Sequence, residues 1–349
     1  MKQFILEAPG RLVERDVPIP ELAAGDVLLK TAALTLCGSD VRIYTGEKTG
    51  GVEWPVVIGH EFTGHVVEVG GSEESHLIGK FFSVVPWIVC RKCTACLNGQ
   101  TNLCPNVKIF GYQLPGAMSE FVRIPKEAVA NGNLIELPEN LPPEVGALSE
   151  PLSCVFHGHL RCNIKVGETV LILGGGPIGL LHTKLALRAG AGQVIVSEPD
   201  PARATTLRQA GASSVINPLE TDVAAFVQEA TNNEGADVSI ICIGRTELAN
   251  EAIYSTRPGG VINLFAGFGH AGIGELDLNA IHYNQLDVIG NADATLGEFR
   301  TAARLIANGE VEVVSMLTHR YSLSDAQAAI DMAASGKGIK VAVLPDSEF

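Results

Sequence analysis

Residues 169–179 read TVLILGGGPIG, a short aliphatic run followed by three glycines, Pro177, Ile178 and Gly179. A run so short and so apolar fits a strand buried in a parallel sheet. The glycines then turn it into a helix whose N-terminus faces outward. Gly174, Gly176 and Gly179 stand in the G-x-G-x-x-G register that binds dinucleotides. The first glycine allows the tight turn, the second lets backbone approach a pyrophosphate, and the third lets the helix lie close on the sheet. The first helical turn opens on Pro177, whose missing N–H costs nothing there, and Ile178 and the residues after it offer the N–H groups at the end that would hold the phosphates. Beyond Gly179, the run IVSE ends on Glu198, where a carboxylate can accept from both ribose hydroxyls. A solvated strand end is the ordinary alternative for that glutamate.

Working outward, strands at 169–173, 194–197, 214–216, 238–241 and 261–265 alternate with helices at 178–189, 200–210, 221–230 and 246–254. That rhythm predicts an α/β doubly wound parallel sheet, completed by a strand at 286–291. Upstream the texture is mostly β. Strands are expected in FILEA, LVERDV, VLLKTAALTL, FFSVVPW and SEFVRIP, with a strongly curved strand over 56–70 and no long helix before about residue 143. The stretch PPEVGALSEPLSCVFHGHL has helical spacing and carries the chain across a boundary near 150. Two further helices, at 295–307 and 323–334, precede a last strand at 339–345.

A chain of 349 residues can bury two cores. Its formal charge of −14 argues against nucleic acid and anionic membranes as partners. No apolar run approaches the length of a membrane span and the N-terminus has no secretory pattern, so a cytoplasmic location is expected. Of the 8 cysteines, four crowd together at Cys90, Cys93, Cys96 and Cys104. Four thiolates at such spacings close around one tetrahedral zinc. An iron–sulfur run would place three residues, not seven, before its last Cys-Pro. The expectation is a structural zinc.

A second constellation is dispersed: Cys37-Gly38-Ser39-Asp40 after a strand, His60-Glu61 in GHEFTG, and Glu150 before Pro151. Singly these read as a core thiol, a satisfied histidine and surface carboxylates. Together with GHEFTGHVVEVG at 59–70, the four-cysteine lobe, EPLSC at 150–154 and GGGPIGLL at 174–181, they resemble the zinc-dependent medium-chain alcohol dehydrogenases over nearly the whole chain. Glutamate at 150 resembles the polyol (sorbitol-like) and threonine dehydrogenase branch. The resemblance implies a GroES-like barrel catalytic domain from 1–150 and 290–349, and a Rossmann domain from 151–289. It implies a catalytic zinc held by Cys37 and His60, with Glu61 and Glu150 as direct or water-bridged ligands, in a cleft between the domains. It also implies hydride transfer from an alcohol to NAD, with Ser39 as the first proton relay and Asp40 orienting His60. Relatives often carry histidine three residues after that serine; here Arg42, which cannot act as a base, takes the position.

Glu198 favours NAD over NADP, since a 2′-phosphate would meet a carboxylate; Arg203 pulls the other way. Cys242, with Gly244 and Arg245, and Phe265, in FAGFG at 265–269, stand at strand exits where an open sheet binds its cofactor. A polyol or sugar-like secondary alcohol is the expected substrate, with threonine the alternative. Sorbitol itself is disfavoured by Asn291-Ala292, where an arginine–tyrosine pair is often found, and by Ile43 in place of an aromatic. Glu47 and Glu53 are candidate counter-charges for an amino group. The family implies a homotetramer, with a dimer as the other possibility.

Overall fold

The strand Thr169–Leu173 lies inside a six-stranded, all-parallel sheet. The computed structural model describes residues 1–268 and 272–348, so Gly269 of the FAGFG run lies outside the described residues. Strand order across this sheet is Ser214–Ile216, Gln193–Ser197, Thr169–Leu173, Ala236–Ile241, Thr256–Leu264, Asp287–Gly290. Val170 pairs with Val194 on one side and Val238 on the other. The chain winds outward from this first strand in both directions, which makes its C-terminal end the switch point where such sheets bind ligands. Leu171, Leu173, Ile195, Ile241 and Ile262 form the core on the sheet. Each contributes about 1.5–3 kcal/mol by leaving water.

The sequence reading agrees with this sheet to within a few residues, and the exceptions have local causes. The helix expected at 200–210 runs over Pro201–Gln209, because Asp200 accepts from the Arg203 N–H and caps it. The strand expected at 261–265 begins at Thr256, five residues early, because Thr256 already pairs with Ala236; a bulge over 257–260, with Gly259 at φ +69, separates that pair from Val261 opposite Val238.

The remaining chain forms a second unit. The two compact units are residues 1–153 with 294–349, and 154–293. The helix Ser149–Cys162 begins in the first and ends in the second. In the first unit, seven strands share one sheet, ordered Leu317–Ser322, Lys340–Leu344, Val27–Thr35, Glu61–Val69, Phe81–Val84, Leu134–Glu136, with Phe121–Ile124 also paired to Val27–Thr35. This branched, strongly bulged sheet has the GroES-like arrangement, although no pairing among the described residues closes it into a ring. Register shifts at Leu28/Leu29 and Thr31/Ala33 bend Val27–Thr35 against Glu61–Val69. Phe4, Leu29, Leu34, Phe62, Phe110 and Val122 pack the interior.

The curved strand expected over 56–70 is shorter, running Glu61–Val69. Gly59, at φ +97, takes a conformation that side-chain-bearing residues avoid, and so turns the chain just before His60. A helix absent from the sequence reading spans Gly38–Thr45. Asp40 caps it by accepting from the Cys37 N–H at 2.9 Å, and Gly46 at φ +82 ends it. No helix of the described residues is long and apolar enough to cross a membrane.

Candidate metal centres and dinucleotide site

Three backbone features converge on one place: the N-cap of Gly38–Thr45, the turn at Gly59, and the start of Glu61–Val69. They bring one ligand atom each of Cys37, His60 and Glu61 within 4.8 Å of one another. Asp40 organises the cluster. Its Oδ1 lies 3.2 Å from His60 Nδ1 and accepts from the Gly59 N–H at 3.1 Å, while Oδ2 holds the Cys37 N–H. The imidazole is thereby turned so that Nε2 is left for a ligand, with Ser39 Oγ 3.5 Å from it. Burial disfavours charge on His60, yet Asp40 and then Cys37 outweigh it and hold its pKa well above the usual value. Burial likewise opposes ionisation of Asp40, and His60 with the two N–H donors overrides it. An environment that would hold a proton on a buried imidazole is one that favours a cation. Thiolate, imidazole and carboxylate donors therefore fit a catalytic zinc.

Glu150 does not enter that three-residue cluster. It is buried, and its charge is felt at Lys340. Lys340 is the participant that sequence reasoning missed. Its Nζ donates to Glu61 Oε1 at 2.5 Å, to Glu61 Oε2, and to the Leu36 carbonyl at 3.2 Å. Thr35 Oγ1 donates to the same carboxylate. Burial works against the ammonium, but Glu61, Cys37 and Glu150 raise its pKa above the ordinary lysine value. A partial signal did exist in the sequence: Lys340 interrupts the apolar run IKVAVLP at 339–345, and a lysine in a strand buried at every position, as Lys340–Leu344 is, must be paired, although the run does not say with what.

Cys90, Cys93, Cys96 and Cys104 form the other cluster, their four sulfurs all within 4.8 Å of one another. The lobe is built of turns: Cys93 caps the short helix Thr94–Leu97 by accepting from the Cys96 N–H at 3.5 Å, and Cys104 accepts from the Cys90 N–H at 3.5 Å. Backbone N–H groups of Lys92 and Cys93 draw the Cys90 thiol down to about 6, whereas burial and the neighbouring sulfurs push Cys96 up to about 12. Four such thiols cannot all ionise without a cation among them. A closed, four-sulfur structural zinc is what they fit.

In the other unit, Gly174 has φ +103, and a Cβ at Gly179 would lie 1.9 Å from the Gly174 carbonyl oxygen. Only glycine permits that helix to sit so close. A Cβ at Gly176, by contrast, would meet nothing nearer than Arg203 Nη1 at 4.0 Å. This open space, beside the first turn of Pro177–Arg188, suits a pyrophosphate. Glu198 Oε2 accepts from the Gly175 N–H and Oε1 from the Asp200 N–H, both at 2.9 Å. The carboxylate thus ties the glycine loop to the next helix and keeps lone pairs for a ribose. Arg203 Nη1 stands 4.0 Å from it. Cys242 follows its strand over Gly174, and Phe265 packs edge-on to His182 at 4.7 Å and against Gly158. Ile43, read as a pocket position, is fully buried in the core of the first unit, so its identity reports packing there. Glu47 and Glu53 are exposed.

Residues 23–138 match the alcohol dehydrogenase GroES-like domain, and residues 177–308 match the zinc-binding dehydrogenase domain. L-threonine 3-dehydrogenase of Pyrococcus furiosus is 36% identical over 345 residues, covering 96% of this chain and 95% of its own. Sorbitol dehydrogenase of Bacillus subtilis is 30% identical over 353 residues, covering 99% and 98%. A zinc-binding dehydrogenase from Sinorhizobium meliloti 1021, solved bound to NADP, superposes with a TM-score of 0.91 at 34% identity over 99% of each chain. The chain belongs to the zinc-dependent medium-chain dehydrogenase/reductase family. It is a zinc-type oxidoreductase of a hydroxylated small molecule, with two candidate zinc sites and a Rossmann sheet for its nicotinamide dinucleotide.

Proposed function

We propose that this enzyme oxidises the secondary alcohol of a 2-amino-3-hydroxy acid of the L-threonine kind, preferring NAD to NADP. The cluster of Cys37, His60 and Glu61 carries the reaction type. Zinc, when bound there, supplies the Lewis acid that makes an alcohol proton easier to lose. The chain does the rest. Asp40 fixes the imidazole, Lys340 and Thr35 hold Glu61, and Ser39 Oγ, beside His60 Nε2, can pass a proton on without retaining it. Glu150 is the further oxygen ligand in this reading. Arg42 stays charged, so the proton leaves Ser39 by water or a carboxylate.

Two observations favour threonine over the neutral polyol expected from sequence. The threonine dehydrogenase of Pyrococcus furiosus shares more identity than the sorbitol dehydrogenase of Bacillus subtilis. The Asn291-Ala292 pair also lacks the side chains that hold several hydroxyls. Near-complete coverage by the sorbitol enzyme keeps a polyol as the second reading. For the cofactor, the Glu198 carboxylate beside the glycine loop disfavours a 2′-phosphate, whereas Arg203 and the NADP-bound Sinorhizobium structure argue the other way.

The test is NAD and NADP reduction by zinc-replete protein with L-threonine, alditols, inositols, sugar acids and 2,3-butanediol. Selective threonine turnover supports the first reading, and selective polyol turnover replaces it with the second. Silence across the panel with dinucleotide binding intact would refute both.

A further inference from the structure

We infer that Lys48 and Tyr112 form a carboxylate-binding subsite beside the reaction centre, so that the substrate is a hydroxy acid rather than a neutral alcohol. The inference rests on reading Cys37, His60 and Glu61 as that centre, and it assigns the group that recognises the acid end of the substrate.

Lys48 lies in TGEKTGG, a glycine-flanked loop directly after the helix that carries Ser39. Its backbone N–H donates to the Arg42 carbonyl at 2.9 Å, which fastens the loop to that helix. Its Nζ donates to Tyr112 Oη at 2.9 Å and sits 4.5 Å from the centroid of the same ring. Tyr112 is itself only 8% exposed and meets the His60 imidazole edge-on, with centroids 5.7 Å apart. The Glu53 N–H donates to the Tyr112 main-chain carbonyl at 3.0 Å, which ties the Tyr112 backbone to the segment that follows Lys48. An ammonium is therefore placed one aromatic ring beyond a candidate zinc ligand.

The charge there is uncompensated. In a chain with a formal charge of −14, neither Lys48 nor Arg42 forms an ion pair with a carboxylate among the described residues. The two acidic residues of the same loop, Glu47 and Glu53, are exposed. A lysine contacting only a phenol retains two unused donors. Because Tyr112 Oη accepts from Lys48, its own hydroxyl proton is free to donate elsewhere. Two donors on separate segments, one charged and one neutral, match the two oxygens and single charge of a carboxylate. A phosphate dianion calls for more positive charge than this, typically an arginine fork or a helix N-terminus.

The experiment compares L-threonine with L-threonine amide, and 3-hydroxybutyrate with its amide, on zinc-loaded, NADH-bound protein by titration calorimetry. Steady-state kinetics with NAD, including neutral 2,3-butanediol, run alongside. The acid of each pair should bind more tightly than its amide. In Lys48→Met that ratio should collapse toward one, through a loss of about ten- to a hundredfold in acid affinity seen mainly in KM. Lys48→Arg should restore most of it, and Tyr112→Phe should fall between. Equal binding of acid and amide to the unaltered protein overturns the inference, as does a Lys48→Met loss that falls equally on both. Turnover of butanediol without preference for acids does so too, while leaving the dehydrogenase reading intact. Acid-selective binding without turnover of any substrate would preserve the subsite and refute the reaction centre. Displacement of the acid by inorganic phosphate well below the acetate concentration needed would overturn the carboxylate assignment.

Discussion

Replacing Lys340 by methionine tests how the buried charge near the catalytic cluster is balanced. The side chain is 3% exposed and donates to both oxygens of Glu61, which is itself fully buried. Methionine fills similar volume but leaves a buried carboxylate with the Thr35 hydroxyl as its remaining side-chain donor among the described residues. Removing one partner of a buried ion pair costs about 3–5 kcal/mol. In a unit of this size each kcal/mol lowers the melting temperature by about 2–4 °C, so the metal-free protein should melt roughly 6–20 °C lower. The double variant Lys340→Met/Glu61→Gln, with no charge left to bury, should recover most of that loss. Calorimetry of the four proteins of this cycle measures the coupling directly. The sign of the pH dependence follows from the raised lysine pKa: the stabilisation is fully present below 10.5 and is lost as pH rises through the folded value. A Lys340→Met loss under about 1 kcal/mol, or none recovered by the second substitution, would refute the ion-pair account.

Three other outcomes are expected. His182 is 1% exposed with neither ring nitrogen bonded among the described residues; burial, then the His159 charge, lowers its pKa to about 3. Its neutral form therefore stabilises fully above the unfolded value of 6.5, and that stability drains away as pH falls toward about 3. His182→Leu should flatten the fall in melting temperature over that window, by about 1.4 kcal/mol per pH unit at most; an unchanged slope would count against the buried neutral imidazole. Cys96→Ser should halve the zinc content measured by mass spectrometry and destabilise the protein while leaving saturable dinucleotide binding. Loss of both metals at once would contradict two separate sites. Glu198→Gln keeps an acceptor for the Gly175 N–H but removes the charge, so the NAD-to-NADP ratio of kcat/KM should fall about tenfold. An unmoved ratio would assign the discrimination to Arg203 or elsewhere.

Much of this protein is written locally in its sequence. The Rossmann sheet is legible because its central strands carry short aliphatic runs, as at 170–173 and 194–196, and the turn after the first of them carries its own glycines at 174–176. The four-cysteine lobe is legible because all its ligands fall within fifteen residues, held by turns that need no distant partner. The helix Gly38–Thr45 was hidden in the same sequence because its signals are short: an Asp40 cap and a Gly46 stop around a single amphipathic turn or two.

What sits around His60 was decided by tertiary structure. Sequence proposed Cys37, His60, Glu61 and Glu150 only through resemblance, since no spacing rule links a strand end, a glycine turn and a helix. The fold joins the first three, leaves Glu150 outside their cluster, and brings in Lys340 from 279 residues away. It likewise moves Ile43 into the core and sets Lys48 on Tyr112 across 64 residues. A propensity or a motif acts over one turn of helix or one loop, whereas burying a charge can be tolerated only where the whole chain supplies its counter-charge. That requirement is met in space, and a linear sequence does not display it.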